Sequence, residues 1–234
     1  MIVSINQPAY LPWLGYFHRI AVSDVHIVLD HVQFEKNSFT NRNKVRTREG
    51  WCWLTVPVKT ANKFGDLAIH AIEISNEKQW ATKHWQTLRL NYSKAPFFSQ
   101  HAEFFEGVYT RHWGKLADLT REITLYLLDA LGIRTKLYFS SRIKASGKKD
   151  ELLLNLCREL GATSYLSGPL GRNYLREEPF REHKIAVQYD DYQHPEYQQV
   201  YPGFEPYMAA VDLLFNAGPA SLEIILQNQE RISR

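Results

Sequence analysis

Cysteine is nearly absent. Cys52 and Cys157 each sit beside apolar residues, with no CxxC pair and no Cys/His spacing, which excludes a disulfide framework and a thiolate metal centre. No set of Asp and His residues has metal-ligand spacing either, so no metal is assigned. Apolar runs never approach the roughly 20 residues that a membrane span needs, and no basic segment leads into a long apolar one, so the expected location is the cytoplasm. Excess charge is missing too: 28 Lys and Arg against 25 Asp and Glu leave +3. Binding to nucleic acid needs basic charge gathered on one face, so a nucleic-acid partner is not expected on this balance. The chain also lacks GxxxxGK[ST], GxSxG and HExxH motifs and a paired Cys/His nucleophile, which leaves covalent catalysis without support.

What is abundant is aromatic: 13% of the residues, with six Trp and thirteen Tyr. Rings with a polar tip suit surfaces that must be apolar and hydrogen-bonding at once; sugar sites use them, and so do cores. An apolar fraction of 44% and a charged fraction of 23% are those of a globular protein. No low-complexity linker or internal repeat interrupts the 234 residues, so one domain over 1–234 is expected, with 77–132 as a candidate helical subdomain.

The pattern along the chain predicts an α/β fold: an open, mainly parallel sheet with flanking helices, a β-hairpin and a helical insertion. Met1 to Ile5 and Val25 to Asp30 are β-branched runs bracketing a segment, Trp13 to Ala21, that suits a helix. Residues 51–58 (WCWLTVPV) and 69–74 (IHAIEI) read as paired strands around the turn-forming TANKFGD. From Glu77 to Tyr92 the residues Trp80, His84, Leu88 and Tyr92 share one helical face, and Leu116, Leu119, Ile123, Leu127 and Leu131 mark another helix, stopped by Gly132. Alternation then resumes with TKLYFSS, KKDELLLNLCREL, TSYLSG and KIAVQYD as strand, helix, strand and strand. Two short helices meet at Gly218-Pro219 near the end.

Four clusters carry candidate chemistry. The loop NQPAYLPW follows the first strand, and ligands of open α/β sheets bind beyond the carboxyl ends of strands. Pro8 and Pro12 restrict it, presenting Gln7, Tyr10 and Trp13, while Gly15 permits close approach; the alternative is a turn whose rings cap the core. In DHVQFEKNSFTNRNKVRTR, Asp30 ends a strand, and Asn41, Arg42, Asn43 and Lys44 offer amides, a forked cation and an ammonium suited to phosphate or carboxylate. A solvated basic hairpin is the plain alternative there, and nucleic acid the competing ligand, since Phe34 and Phe39 are interleaved with the charges. Ser146 to Lys149 precede a helix and suit an anion, and Ser167, Gly168 and Gly171 follow another strand end; ordinary turn chemistry explains these equally. In YDDYQHPEYQQ, His194 lies among Asp190, Asp191, Tyr192 and Tyr197, where a carboxylate can make the imidazole a general base.

The segments INQPAYLPWLGYFHRIAVSDVHIVLDHVQFEKNSFTNRNKV, WLTVPV, YLSG, YQHPEYQQ and DLLFNAG, in that order, closely resemble the WbqC-like family of bacterial proteins over nearly the whole chain. That resemblance implies a place in the synthesis of O-antigen and other surface polysaccharides, and transfer of an acyl or aminoacyl group, glycine among them, to a sugar or nucleotide-linked sugar. On that reading an activated acyl donor is the co-substrate. Tyr10 and Trp13 stack on a sugar or base, and Gln7 fixes a hydroxyl. Arg42 with Lys44 holds a diphosphate, and His194, with Asp30 as the second catalytic candidate, takes the proton of the attacking group. The opening also loosely resembles the HIGH-motif nucleotidyltransferases, which implies ATP, but PAYLPWLGYF lacks both histidines of that motif. A third reading is a noncatalytic module that binds a nucleotide-sugar or RNA.

Overall fold

The computed structural model describes residues 1–60, 67–77 and 79–227. The expected turn over TANKFGD falls largely on 61–66, outside the described residues.

The first strand, β1 (Ile2–Asn6), leads through the Pro-rich loop into α1 (Leu14–Ala21) and back into β2 (Val25–Val28). A hairpin follows, β3 (Arg42–Thr47) with β4 (Gly50–Thr55). Three helices come next: α2 (Trp80–Tyr92), α3 (Phe98–Thr110) and α4 (Leu116–Ala130). The alternation of β5 (Lys136–Phe139), α5 (Lys149–Glu159), β6 (Ser164–Ser167), α6 (Glu178–Glu182) and β7 (Ala186–Tyr189) then completes the sheet. Helices α7 (Ala210–Ala217) and α8 (Ser221–Leu226) close the fold.

The five main strands run parallel in the order β5-β2-β1-β6-β7, and the hairpin is antiparallel. This is the expected α/β architecture. Both faces of the sheet are covered, as parallel strands require. Val3 and Ile5 with Val25 and Ile27 pack on Leu152, Leu156 and Phe180 of α5 and α6. Helices α1, α4, α7 and α8 join the hairpin and α2–α3 in a second, larger core. Leu119, Ile123 and Leu127 are fully buried within it. Gly132, at φ +74°, ends α4 as expected: its own N–H and that of Ile133 reach back to the carbonyls of Asp129 and Leu128.

Two local expectations differ. Strand β4 pairs with β3, and 69–74 touches the 51–58 segment only at its end, where Val58 bridges Ile74; Ile69–Ala71 is a single 3₁₀ turn. The hairpin wins because Arg42–Val45 alternates half-buried and buried side chains and the strand is joined to β4 by a two-residue turn at Arg48-Glu49, with Gly50 at φ +124° opening β4. Helix α3 lies within the helical stretch expected over 77–132 but is not marked individually in the sequence, because its buried Phe98, Phe105, Val108 and Tyr109 are interspersed with polar residues and Gly107.

Candidate functional site

The sheet order reverses at β1: the chain goes to β2 on one side and later to β6 on the other. Ligand crevices form at such a point, beyond the carboxyl ends of the two strands. A cavity of about 600 Å³ lies there, bordered by Asn6 at the end of β1 and by Ser167 and Gly168 at the end of β6. Its walls are aromatic, formed by Trp13, Phe39, Tyr174 and Tyr207, and two cations, Arg19 and Lys44, reach into it. Phe39, Tyr174 and Tyr207 are each more than half exposed, an unusual price in solvent-facing ring surface unless something covers it. A smaller recess of about 230 Å³ adjoins it, sharing Trp13 and Arg19 and adding Asp190, Asp191 and Tyr192.

The Pro-rich loop is rigid for reasons that can be traced bond by bond. The Tyr10 N–H donates to the Phe39 carbonyl at 3.0 Å, the Asn43 amide donates to the Leu11 carbonyl at 2.6 Å, and the Ala210 N–H to the Pro12 carbonyl at 2.8 Å. Leu11 is held at φ +46°, a conformation that costs a non-glycine residue energy and survives only where the surroundings enforce it. Gly15 then lets the Trp13 indole fold back over the start of α1, since a Cβ at that position would lie 2.4 Å from the ring. The loop is thereby a fixed bracket that presents Trp13 to the crevice.

Arg19 went unnoticed in the sequence and is the central cation of the site. Its side chain is only 10% exposed. Nη1 donates to Asn6 Oδ1 at 2.5 Å, and Nε lies 3.4 Å from Asp190 Oδ2. His18 Nδ1 lies 2.9 Å from the other Asp190 oxygen, and its ring packs on Tyr192 with centroids 4.9 Å apart. A buried carboxylate is thus shared between a guanidinium and an imidazole at the floor of the recess. Gly168 makes room for this group: a Cβ there would fall 2.8 Å from Arg19 Nη2. The burial of His18 and Arg19 follows from that of α1 as a whole, whose residues Leu14 to Ile20 are all buried.

The expected residues divide cleanly by position. Trp13, Lys44, Ser167 and Gly168 line the crevice. Lys44 stands over Trp51 at 4.5 Å, and Arg42 stacks on Trp53 at 4.3 Å beside it. Gln7 is half-buried just past β1. Tyr10 does not reach the crevice: it is fully buried, and its hydroxyl meets His84 Nδ1 at 2.8 Å and the Tyr109 hydroxyl at 2.6 Å. Burial raises the Tyr10 pKa well above its ordinary value and lowers that of His84 to about 4. Asn41 and Asn43 are buried hairpin residues whose amides bond the Val56 and Leu11 carbonyls, so they build the bracket and do not contact the cavity. Tyr197 also points inward, donating to Asp212 Oδ2 at 2.7 Å alongside Tyr92 and Gln199; burial raises the Asp212 pKa against these bonds.

His194 is not paired with a carboxylate. Its Nδ1–H donates to the Pro195 carbonyl at 2.9 Å, and its Nε2 accepts the Tyr207 N–H at 3.1 Å. The ring is therefore neutral with its lone pair engaged, and burial lowers its pKa further. It lies parallel to Trp13 with centroids 6.5 Å apart and 5.0 Å from Tyr207, which is held at φ +61°. Its place is behind the aromatic wall, fixing Tyr207. Asp190, read as its partner, partners His18 and Arg19. Asp30 lies elsewhere again, at the end of β2, where its carboxylate accepts from the Ser140 hydroxyl and from the Ser141 hydroxyl and N–H. Ser146 to Lys148 lie outside the crevice before α5, which Lys149 begins, and no His, Cys, Asp and Glu grouping among the described residues could hold a metal ion. No helix among the described residues is long and apolar enough to cross a membrane.

A family model described as the WbqC-like protein family matches residues 7–224. The chain is also similar to uncharacterized protein Rv1507c of Mycobacterium tuberculosis (strain ATCC 25618 / H37Rv), 37% identical over 218 residues, spanning 92% of this chain and 94% of the relative. No solved structure matches significantly.

Proposed function

The chain belongs to the WbqC-like protein family, and from that premise we propose that it transfers an acyl or aminoacyl group, glycine being one candidate, to a sugar carried on a nucleotide, in the synthesis of surface polysaccharide. The observation that carries this reading is the crevice at the reversal of sheet order, with aromatic walls and two inward cations. A base or sugar ring stacks on Trp13 and Tyr207, and the diphosphate lies between Lys44 and the free edge of the Arg19 guanidinium. Arg42 supports Trp53 at the edge of this basic strip.

The reaction needs no covalent enzyme intermediate. The sugar amine or hydroxyl attacks the carbonyl carbon of an activated donor, the bond from that carbon to its leaving group breaks, and the attacking group loses its proton. Asp190, which lines the recess and has His18 Nδ1 2.9 Å from its Oδ1, is the proton acceptor in this scheme, in place of His194, whose lone pair is occupied.

Melting temperature measured against nucleotide-sugars, acyl-coenzyme A compounds, amino acids, ATP with magnesium and short RNA tests the reading. A rise with nucleotide-sugars that disappears in Trp13→Ala and Lys44→Ala is the expected result, followed by acylated sugar detected by mass spectrometry. A rise confined to ATP or to RNA would overturn it in favour of adenylation or of a binding module.

A further inference from the structure

A second cavity, of about 250 Å³, opens on the opposite side of the Pro-rich loop, beyond the carboxyl ends of β2 and β5. Pro8 lines it while Trp13 lines the crevice, so one rigid loop separates the two. Its floor is apolar, made by Tyr16, Val28, Leu137 and Phe139. Three cations stand around that floor: Lys115, Arg121 and Arg142. None of the three is in an ion pair among the described residues, although seven other ion pairs are formed there. The two guanidinium groups instead converge on the same ring, at 4.8 and 5.9 Å from the Phe139 centroid. Both are left with unpaired donors over an apolar surface.

Two carboxylates share the cavity, and they are unlike. Asp30 is buried, and its oxygens are taken by Ser140 and Ser141, so it shapes the β5 turn and forms no ion pair with the arginines, while its negative charge still counts in the cavity. Asp118 is exposed at the rim. Set against three cations, these two charges leave one positive charge uncompensated. The first turn of α4, at Ala117 and Asp118, faces the same space, and its free N–H groups add to the positive side.

We propose that this cavity is a second ligand site, for a small monocarboxylate with an apolar body. The single excess charge suits a carboxylate better than a phosphate dianion, the arginine forks match its two oxygens, and the floor takes a ring or short branched chain. A cavity of about 150 Å³ suffices for benzene, so the available volume holds a body of that size with its carboxylate at the rim. The site stands independently of the transfer reading: it shares no lining residue with the crevice.

Calorimetric titration with benzoate and with 3-methylbutanoate tests it, using benzyl alcohol as the uncharged comparison and inorganic phosphate as the anion without an apolar body. The probes are titrated into wild type, an Arg121→Gln/Arg142→Gln variant and Lys44→Ala; both arginines are exposed, and circular dichroism checks that the double variant is folded. The expected result is carboxylate binding that weakens about tenfold or more in the arginine variant, about 1.4 kcal/mol, and is unchanged in Lys44→Ala, with the alcohol and phosphate weaker than both acids. Carboxylate binding that survives in the folded arginine variant, or that is lost in Lys44→Ala, would overturn the proposal, as would phosphate binding more tightly than the acids or no binding of either acid to wild type. Absence of nucleotide-sugar binding would leave it standing.

Discussion

Gly168→Ala isolates the Arg19 group without touching a charged residue. Gly168 has φ −73°, so alanine brings no backbone strain. The whole effect comes from the new methyl group, placed 2.8 Å from Nη2, 3.0 Å from Nη1 and 3.1 Å from Cζ of Arg19. Contacts that short are not tolerated, and the guanidinium must shift by several tenths of an ångström. It is restrained by its hydrogen bond to Asn6 and by Asp190, whose side chain is 3% exposed. Losing a hydrogen bond of a charged group costs about 1.5–3 kcal/mol, and the open crevice beside Arg19 lets the side chain pivot, which favours the lower half of that range. At about 2–4 °C per kcal/mol for a chain of this size, the melting temperature falls by roughly 3–9 °C. On the proposed function the displaced cation also enters the space assigned to the diphosphate, and nucleotide-sugar affinity drops about tenfold, or about 1.4 kcal/mol. Gly107→Ala is the internal comparison. A Cβ there meets nothing within 4 Å in the middle of α3, so it should stabilise by about 0.5–1 kcal/mol. Differential scanning calorimetry and ligand titration read both quantities. A Gly168→Ala protein that melts and binds like wild type would refute the packing argument around Arg19.

Acid should destabilise the fold early. Burial lowers His26 to about 3 and His84 to about 4, so below the unfolded value of about 6.5 the unfolded chain takes up protons that the folded one refuses. Stability is therefore intact above that pH and falls as pH drops. The slope approaches about 3 kcal/mol per unit near pH 5 for the two together, and it levels off below the folded values; urea titrations at pH 7 and pH 5 measure it. Tyr10→Phe leaves His84 and Tyr109 facing an empty position in the core and should cost about 1–3 kcal/mol in urea unfolding while sparing ligand affinity, which separates it from a binding residue. His194→Phe removes the acceptor of the Tyr207 N–H and should raise KM for the nucleotide-sugar while leaving kcat within about threefold; a loss of turnover at saturating substrate would restore His194 as a base.

The sheet was legible because β-branched runs, helical spacing and glycine stops agreed with one another from Met1 to Ile5 through KIAVQYD. The hairpin partner was not, because 51–58 carries an apolar run that fits any neighbour, and pairing is a tertiary choice. In the candidate site, Trp13, Ser167 and Gly168 followed from their position at or after strand ends, and Lys44 from the cluster of amides and cations in NRNK. Tyr10 misled because proline rigidity says that a side chain is fixed but not in which direction it points. Asp190 was read beside the wrong histidine: nearness in sequence suggested His194, while the true neighbour, His18, comes from α1 across the sheet edge. Arg19 gave no signal at all beyond an arginine on a helix, and only the burial of α1 between Asn6 and Asp190 reveals it.

Isothermal titration of a nucleoside-diphosphate sugar into wild type, Trp13→Ala and Lys44→Ala bears most directly on the crevice as the substrate site. Binding to wild type that weakens about tenfold or more in each variant, with both variants folded, is the predicted result. Absence of binding to wild type across the common nucleotide-sugars, or equal affinity in all three proteins, would contradict it.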